Sequence, residues 1–317
     1  MGKLKILFCT YPDVDYGLDT LYDGLCRNLG SENVFEYPHK PSLHSVRAKM
    51  YSWFPMFFEY PINAIDQRKL WMLENDLFDV ILVSIRVFDE KFIEVLKEKS
   101  KKIPVILIDQ NDNRILFDRF LTELNARLYF KREYLDYENY NPTVQPLSLS
   151  YSEKYIPENV RNDRTYNIFW IGAVYGSRHK LLRVCRKIAK EPSLLLNCDQ
   201  RTRLCTQEDY RKQLLSSRIG LNFRGYGYDS VRYYEIPAHA TLLFTQKFPI
   251  VIENNYTDGV NAVFFSDYEE LKEKLKFCQD NESYVDRLRF KGYEHFIKYH
   301  TTKARAKQMF DKIRKVI

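Results

Sequence analysis

Short apolar runs alternate with stretches of helical spacing along almost the whole chain, and that rhythm restricts the fold more than any other feature. In the first half, runs over Lys3–Thr10, Asn33–Tyr37, Asp79–Ser84, Pro104–Ile108 and Leu128–Phe130 have the length of buried strands. Helical patterns over Leu18–Leu29, Asp66–Glu74 and Asp89–Lys99 fall between them, the first capped by Asp15 or Asp19. In the second half, strands are expected over Asn167–Ile171, Leu194–Asn197, Ile219–Phe223, Thr241–Phe244 and Ala262–Phe265. Helices are expected over Arg178–Lys190, Gln207–Ser216, Val231–Ala240, Asp267–Cys278, Glu282–Tyr299 and Thr301–Val316. A helix after a strand carries the chain back, so successive strands run parallel. The expectation is an α/β fold built from Rossmann-like units.

A length of 317 residues suits two such units. The rhythm breaks at Tyr137–Pro157, a polar segment with Asn141-Pro142 and Pro146, and again at Asn159–Arg164. These breaks give an N-terminal domain over 1–145, a connection over 146–165 and a C-terminal domain over 166–300. A last helix over 301–317 is in a position to cross back to the first domain. Pro38–Pro61 is irregular and aromatic, with Tyr51, Trp53, Phe54, Phe57, Phe58 and Tyr60, and Ser42–Trp53 could be helical. It reads as cover for the sheet or, with Lys40, His44, Arg47 and Lys49, as an acceptor-side surface.

The chemistry concentrates in Ser217–Gln246, SRIGLNFRGYGYDSVRYYEIPAHATLLFTQ. A strand, the loop Arg224–Ser230, a helix and a second strand follow one another there, and such loops are where parallel sheets bind ligands. Arg232 and Glu235 are three apart and share a helix face. They suit a ligand with phosphate and sugar hydroxyls, because arginine grips phosphate in a fork and a carboxylate accepts from vicinal hydroxyls. An intrahelical ion pair is the plainer reading. Upstream, Gly172-Ala-Val-Tyr-Gly-Ser177 joins a strand to a basic helix, a plausible phosphate cradle to which Arg178 and Lys180 could add contacts.

In the first half, the loop Tyr11–Gly17 follows strand one, and Asp13, Asp15, Tyr16 and Gly17 are candidates to face an acceptor, with His44. Asp109-Gln-Asn-Asp-Asn113 ends another strand, so Asp109, Asp112, Asp15, His39 or His44 could be a base, while turn and capping roles fit Asp109 and Asp112 equally well. No GxGxxG, HExxH, CxxC or grouped Asp/Cys/His pattern is present, so neither a dinucleotide fingerprint nor a metal is expected.

The net charge of +7 favours an anionic partner without choosing among nucleotide, nucleic acid and membrane surface. No RRM, KH, helix-turn-helix or zinc signature marks a nucleic-acid binder. Six separated cysteines, at 9, 26, 185, 198, 205 and 278, read as buried thiols of a reducing compartment. No run approaches the about 20 apolar residues of a membrane span. The N-terminus reads as a first strand rather than a signal peptide, which points to the cytoplasm, with or without peripheral contact to a membrane.

GAVYGSR, then the Ser217–Gln246 stretch, AVFFSDYEELKEKL and GYEHFIKYHTTKARAKQMF, in that order, resemble CgeB-like spore-maturation proteins of the group-1 glycosyltransferases. PVILIDQND and LYFKREY in the first half are consistent with the same family. The resemblance implies GT-B architecture, two Rossmann-like domains facing across a central cleft. It implies sugar transfer from a nucleoside-diphosphate sugar to a hydroxyl, with the donor as co-substrate and no cofactor. Glu235 falls at the family's ribose-binding glutamate and Arg232 at the arginine before it. Gly172 and Arg178 match the loop that opens the donor domain, and His300, Thr301 and Arg305 the HT…R element, read as structural. Donor contacts are expected from Gly172, Arg178, Lys180, Arg224, Tyr228, Asp229, Arg232 and Glu235, with Arg178 and Arg232 meeting leaving-group charge without a metal. The chain departs from the family at Pro237-Ala-His-Ala240, where a glycine is usual, and at Tyr228, where the broader group has an acid. The acceptor is open: a glycan, a lipid-linked surface component or modified DNA. A transferase acting on hydroxylated bases in DNA, a non-transferring epimerase or binding module of the same fold, and an inactive scaffold are the other readings.

Overall fold

The computed structural model describes residues 4–45, 56–87, 89–160, 164–197 and 206–317. The chain divides into two compact units. Unit 1 comprises Met1–Glu153, Ile250–Glu253 and Thr301–Ile317, and unit 2 comprises Lys154–Pro249 and Asn254–His300.

Unit 1 is built on β1 (Ile6–Cys9), β2 (Val34–Tyr37), β3 (Val80–Ser84), β4 (Val105–Asp109), β5 (Leu128–Lys131) and β6 (Val144–Pro146). They form one parallel sheet in the order β2-β1-β3-β4-β5-β6. Its helices are α1 (Tyr16–Leu29), α2 (Asp66–Glu74), α3 (Glu90–Lys99) and α4 (Asp118–Glu123). Leu7, Ile81, Val83, Val105 and Leu107 pack with Leu73 of α2 and Phe92 and Leu96 of α3. Both faces of the sheet are covered, and the strands are therefore continuously apolar rather than alternating.

Unit 2 contains β7 (Tyr166–Gly172), α5 (Arg178–Ile188), β8 (Leu194–Asn197), α6 (Gln207–Leu215), β9 (Ser217–Asn222), α7 (Arg232–Ala238), β10 (Leu242–Gln246), β11 (Val263–Phe265), α8 (Tyr268–Asp280) and α9 (Glu282–Tyr299). The strands are parallel in the order β11-β10-β9-β7-β8. Its core joins Ile168, Trp170, Leu221, Phe223 and Phe244 to Leu182 of α5, Leu271 of α8 and Leu288 of α9.

The remaining helix, α10 (Thr302–Ile313), returns to unit 1 and packs on α1. Gly24 permits the close approach, because a Cβ there would stand 2.0 Å from the Thr302 carbonyl oxygen. Asp23, fully buried, accepts from the hydroxyls of Ser152 and Thr302 beside it.

Several details differ from the sequence expectations. The first helix begins at Tyr16 rather than Leu18, since Asp15 is its cap, accepting from Leu18 N at 2.8 Å. Asp19, the other candidate cap, lies inside the helix. The short helix α4 lies where no element was expected, and the three-residue strand β6 falls in the polar break after Tyr137. No residue of α4 is buried, so it has no apolar stripe to detect, and Pro146 fits only because β6 is an edge strand. Unit 1 runs to Glu153, past 145, because Leu147, Leu149 and Tyr151 are buried in it. Of the helix considered over Ser42–Trp53, the described part holds a 3-10 turn at Pro41–Leu43. Arg47, Lys49, Tyr51, Trp53 and Phe54 lie outside the described residues, as do Cys198 and Cys205. The other four cysteines are free and buried. Among the described residues, no helix is long and apolar enough to cross a membrane.

Candidate functional site

In a parallel sheet, ligands collect at the carboxyl ends of the two strands where the order reverses. In unit 2 these are β7 and β9, since β8 lies on one side of β7 and β9, β10 and β11 on the other. The loops leaving β7 and β9 bring Gly172, Arg178, Arg224, Tyr228, Asp229, Arg232 and Glu235 to the same end of the sheet.

Trp170, fully buried near the end of β7, underlies two cations. The Arg232 guanidinium carbon stands 4.3 Å from its ring centre and that of Arg178 5.2 Å. Arg232 donates through Nη2 to the Ile171 carbonyl at 3.1 Å. Gly172 makes room for it, since a Cβ there would lie 2.6 Å from the same Nη2. Arg178 donates from Nε to Arg224 O at 2.8 Å, from Nη1 to Ala173 O at 3.0 Å and from Nη2 to Phe223 O at 3.2 Å. Tyr175 covers its other side at 4.4 Å. Three of its five N–H groups are thus used on carbonyls, and among the described residues no carboxylate pairs with it. Burial, and then the neighbouring Arg232 charge, push its pKa down to about 10. A buried cation next to a second cation is an arrangement that an anion stabilises.

Glu235 sits in the first turn of α7, 5% exposed, and accepts from the Tyr210 hydroxyl at 3.0 Å. Burial and the Glu235 charge both drive the Tyr210 phenol well above its usual range, so it stays a donor. Asp229 is buried and accepts from Tyr234 at 2.9 Å. Ser230 donates to Asn222 Oδ1 at 2.8 Å and Asn222 to Thr245 at 3.0 Å, tying the loop to β9 and β10. Arg224 lies over the Tyr228 ring at 4.3 Å, and exposed Tyr226 stacks on Tyr175 at 5.0 Å. Lys180 is exposed on the first turn of α5. Trp170 and Tyr210 were not among the sequence candidates. Trp170 reads as core, and only its place two residues before the strand-ending Gly172 could have suggested it.

His239 is buried behind this helix and donates through Nδ1 to the Glu235 carbonyl at 2.8 Å. Burial lowers its pKa from 6.5 to about 4. The unfolded chain takes up that proton at higher pH than the folded one, so the stability it confers is complete above pH 6.5 and lost as pH falls toward 4. The loss amounts to about 3 kcal/mol. Urea unfolding of His239→Gln across this window should show a flatter pH dependence than the parent. An equal slope would show that His239 does not titrate in this way.

Unit 1 has its own reversal between β1 and β3. There Asp15 accepts from Tyr11 at 2.9 Å and from Arg86 Nη1 at 3.0 Å, and Arg86 also donates to Asn111. Asp19 pairs with buried Lys40 at 2.6 Å, and burial still pushes its carboxyl up to about 6. Asp13 is exposed, and Tyr16 and Gly17 open α1. The reading of Asp109 as a base meets a correction here. Asp109 is fully buried, with Lys131 at 3.0 Å, Tyr129 at 2.7 Å and Asn111 N at 3.0 Å, so it fastens β4 to β5. Asp112 is paired with Arg132. His44 is not in an open acceptor surface: its side chain is 5% exposed, beside Glu36 and His39. Thr301 caps α10, accepting from Ala304 N at 3.2 Å, and Arg305 is buried, donating to Leu149 O at 3.3 Å.

Residues 171–311 match the family described as Glycosyl transferase-like. No curated protein matches the chain. Among solved structures, a glycosyltransferase from Rickettsia africae ESF-5 is similar at 9% identity and a TM-score of 0.66, covering 100% of this chain and 99% of that one. Anabaena Alr3699/HepE, in complex with UDP-glucose, is similar at 10% identity and a TM-score of 0.59, over 98% and 100% of the two chains. The same protein with UDP gives 0.60 at 10% identity. At such identities the likeness is one of fold: two parallel sheets with interleaved helices, as in GT-B glycosyltransferases.

Proposed function

We propose that this chain is a glycosyltransferase that moves a sugar from a nucleoside-diphosphate sugar, of which UDP-sugars are the first to test, to a hydroxyl acceptor. The observation that carries the reading is buried Arg178, held against carbonyls and aromatic rings, with N–H groups to spare and a second arginine beside it. A diphosphate is the anion that two guanidiniums at a strand-end loop suit, and its negative charge grows as the sugar departs. With the charge met by arginine and backbone N–H groups, the transfer is metal-independent. Glu235, oriented by Tyr210, accepts from the ribose hydroxyls. Gly172, Arg224, Tyr228 and Asp229 border the donor, and Lys180 adds positive charge at the mouth. Unit 1 supplies the acceptor side, where Asp13, Asp15, Tyr16 and Gly17 are the candidate contacts. The closer affinity to the CgeB-like group rests on the order of GAVYGSR, the Arg232/Glu235 stretch and the HT…R element. UDP-sugars come first because the Anabaena protein of similar fold was solved in complex with UDP-glucose.

Thermal unfolding with UDP, GDP, ADP and TDP tests the reading. One nucleotide at about 100 times its Kd should stabilise the protein by about 2.7 kcal/mol, a shift of about 5 °C. No shift with any of the four would reject it.

A further inference from the structure

Glu36, on β2, and His39 and His44, just after it, bring one carboxylate and two imidazoles within 4.8 Å of one another. His44 Nε2 is 3.1 Å and His39 Nδ1 3.4 Å from the same oxygen, Glu36 Oε1. Tetrahedral bonds of about 2.0–2.1 Å give ligand–ligand edges of about 3.3–3.4 Å, so two edges already have the right length. We propose that these three side chains form a divalent transition-metal site whose occupant is Zn2+.

The surroundings agree with a ligand set more closely than with a simple ion pair. His44 donates through Nδ1 to the Tyr60 carbonyl at 2.8 Å, which turns Nε2 toward Glu36. This is how proteins orient a metal-bound histidine. That nitrogen is buried, 3.1 Å from Glu36 Oε1. A metal ion set between them would bind both atoms. Glu36 Oε2 is also buried without a hydrogen-bond partner. Lys69 donates to Glu36 Oε1 at 2.8 Å and to Asp66 at 3.1 Å, as an outer partner of a ligating carboxylate does. Glu36 and Asp66 together outweigh the single Lys69 charge, leaving one negative charge for a cation to meet. Two nitrogens and one oxygen select Zn2+ over the all-oxygen ions Mg2+ and Ca2+. His39, whose side chain is 39% exposed, has solvent on one side and leaves room for a water as fourth ligand.

The test uses the full-length, untagged protein, stripped with a chelator and titrated with Zn2+ by calorimetry and with Co2+ by visible absorption. One equivalent of Zn2+ should bind, with the absorption of four-coordinate Co2+ and no heat from Mg2+. His39→Ala, on a half-exposed ring, keeps the fold by circular dichroism and should weaken Zn2+ by more than about 100-fold, beyond the 10–100-fold of losing an outer partner. His44→Gln should do the same. No uptake by the parent protein, or uptake unchanged in both variants, would overturn the proposal.

Discussion

Arg178→Leu is expected to lower kcat for sugar transfer by about 100- to 1,000-fold, the loss seen when one preorganised donor to a developing anion is removed. The guanidinium is already fixed by three carbonyls and lies between Trp170 and Tyr175, so little ordering remains to be done when the leaving diphosphate gains charge. Lysine should not rescue it. A single ammonium cannot hold those carbonyls and still present a fork to phosphate. The measurement is steady-state transfer with the donor that the thermal panel selects, together with Kd for the free nucleoside diphosphate. A kcat within threefold of the parent enzyme would remove Arg178 from the chemistry, and an unchanged unfolding midpoint would show that the loss is not one of folding.

Glu235→Ala should act on a different quantity. The ribose hydroxyls are bound alike in the ground and transition states, so the loss should appear in Kd and KM, with kcat largely kept. A hydrogen bond to a charged group is worth about 1.5–3 kcal/mol, which is about 10- to 150-fold in affinity. The sharper readout is discrimination. The parent protein should prefer UDP to its 2′,3′-dideoxy analogue, and Glu235→Ala should bind the two alike. A variant that still discriminates would place the ribose elsewhere. Tyr210 is fixed to this carboxylate at 3.0 Å, so Tyr210→Phe should weaken binding in the same direction by a smaller factor.

The α/β class was legible because buried parallel strands are continuous apolar runs, and Val80–Ser84 and Val105–Asp109 are of that kind. The placement of Arg232 and Glu235 in the first turn of one helix was legible from their spacing. What sequence could not show were partners brought in from a distance. Lys131, which neutralises Asp109, is 22 residues away, and without it the acid looks like a loop residue at a strand end. Trp170 gave no sign of lying under two arginines. The turn without glycine at Pro237–Ala240 has a concrete solution: Ala240 itself takes φ 47°. That left-handed angle is unfavourable for alanine, and Arg164 and Arg289 hold it by donating to the Ala240 carbonyl at 3.0 and 3.3 Å. Glu36 escaped notice, and His39 and His44 were read only as acceptor-side groups, because the metal motifs sought had a different spacing.

The return of α10 to unit 1 sets an order of events during synthesis. Domains generally fold as they emerge, the amino-terminal one first. Here the helix that covers α1 belongs to residues 301–317, so the groove opened by Gly24 stays without its partner until both sheets have been translated. Unit 2, whose last residue is His300, can be finished earlier. The unit begun first is therefore completed after the second, and a nascent chain stalled before α10 would expose the apolar flank of α1 to chaperones.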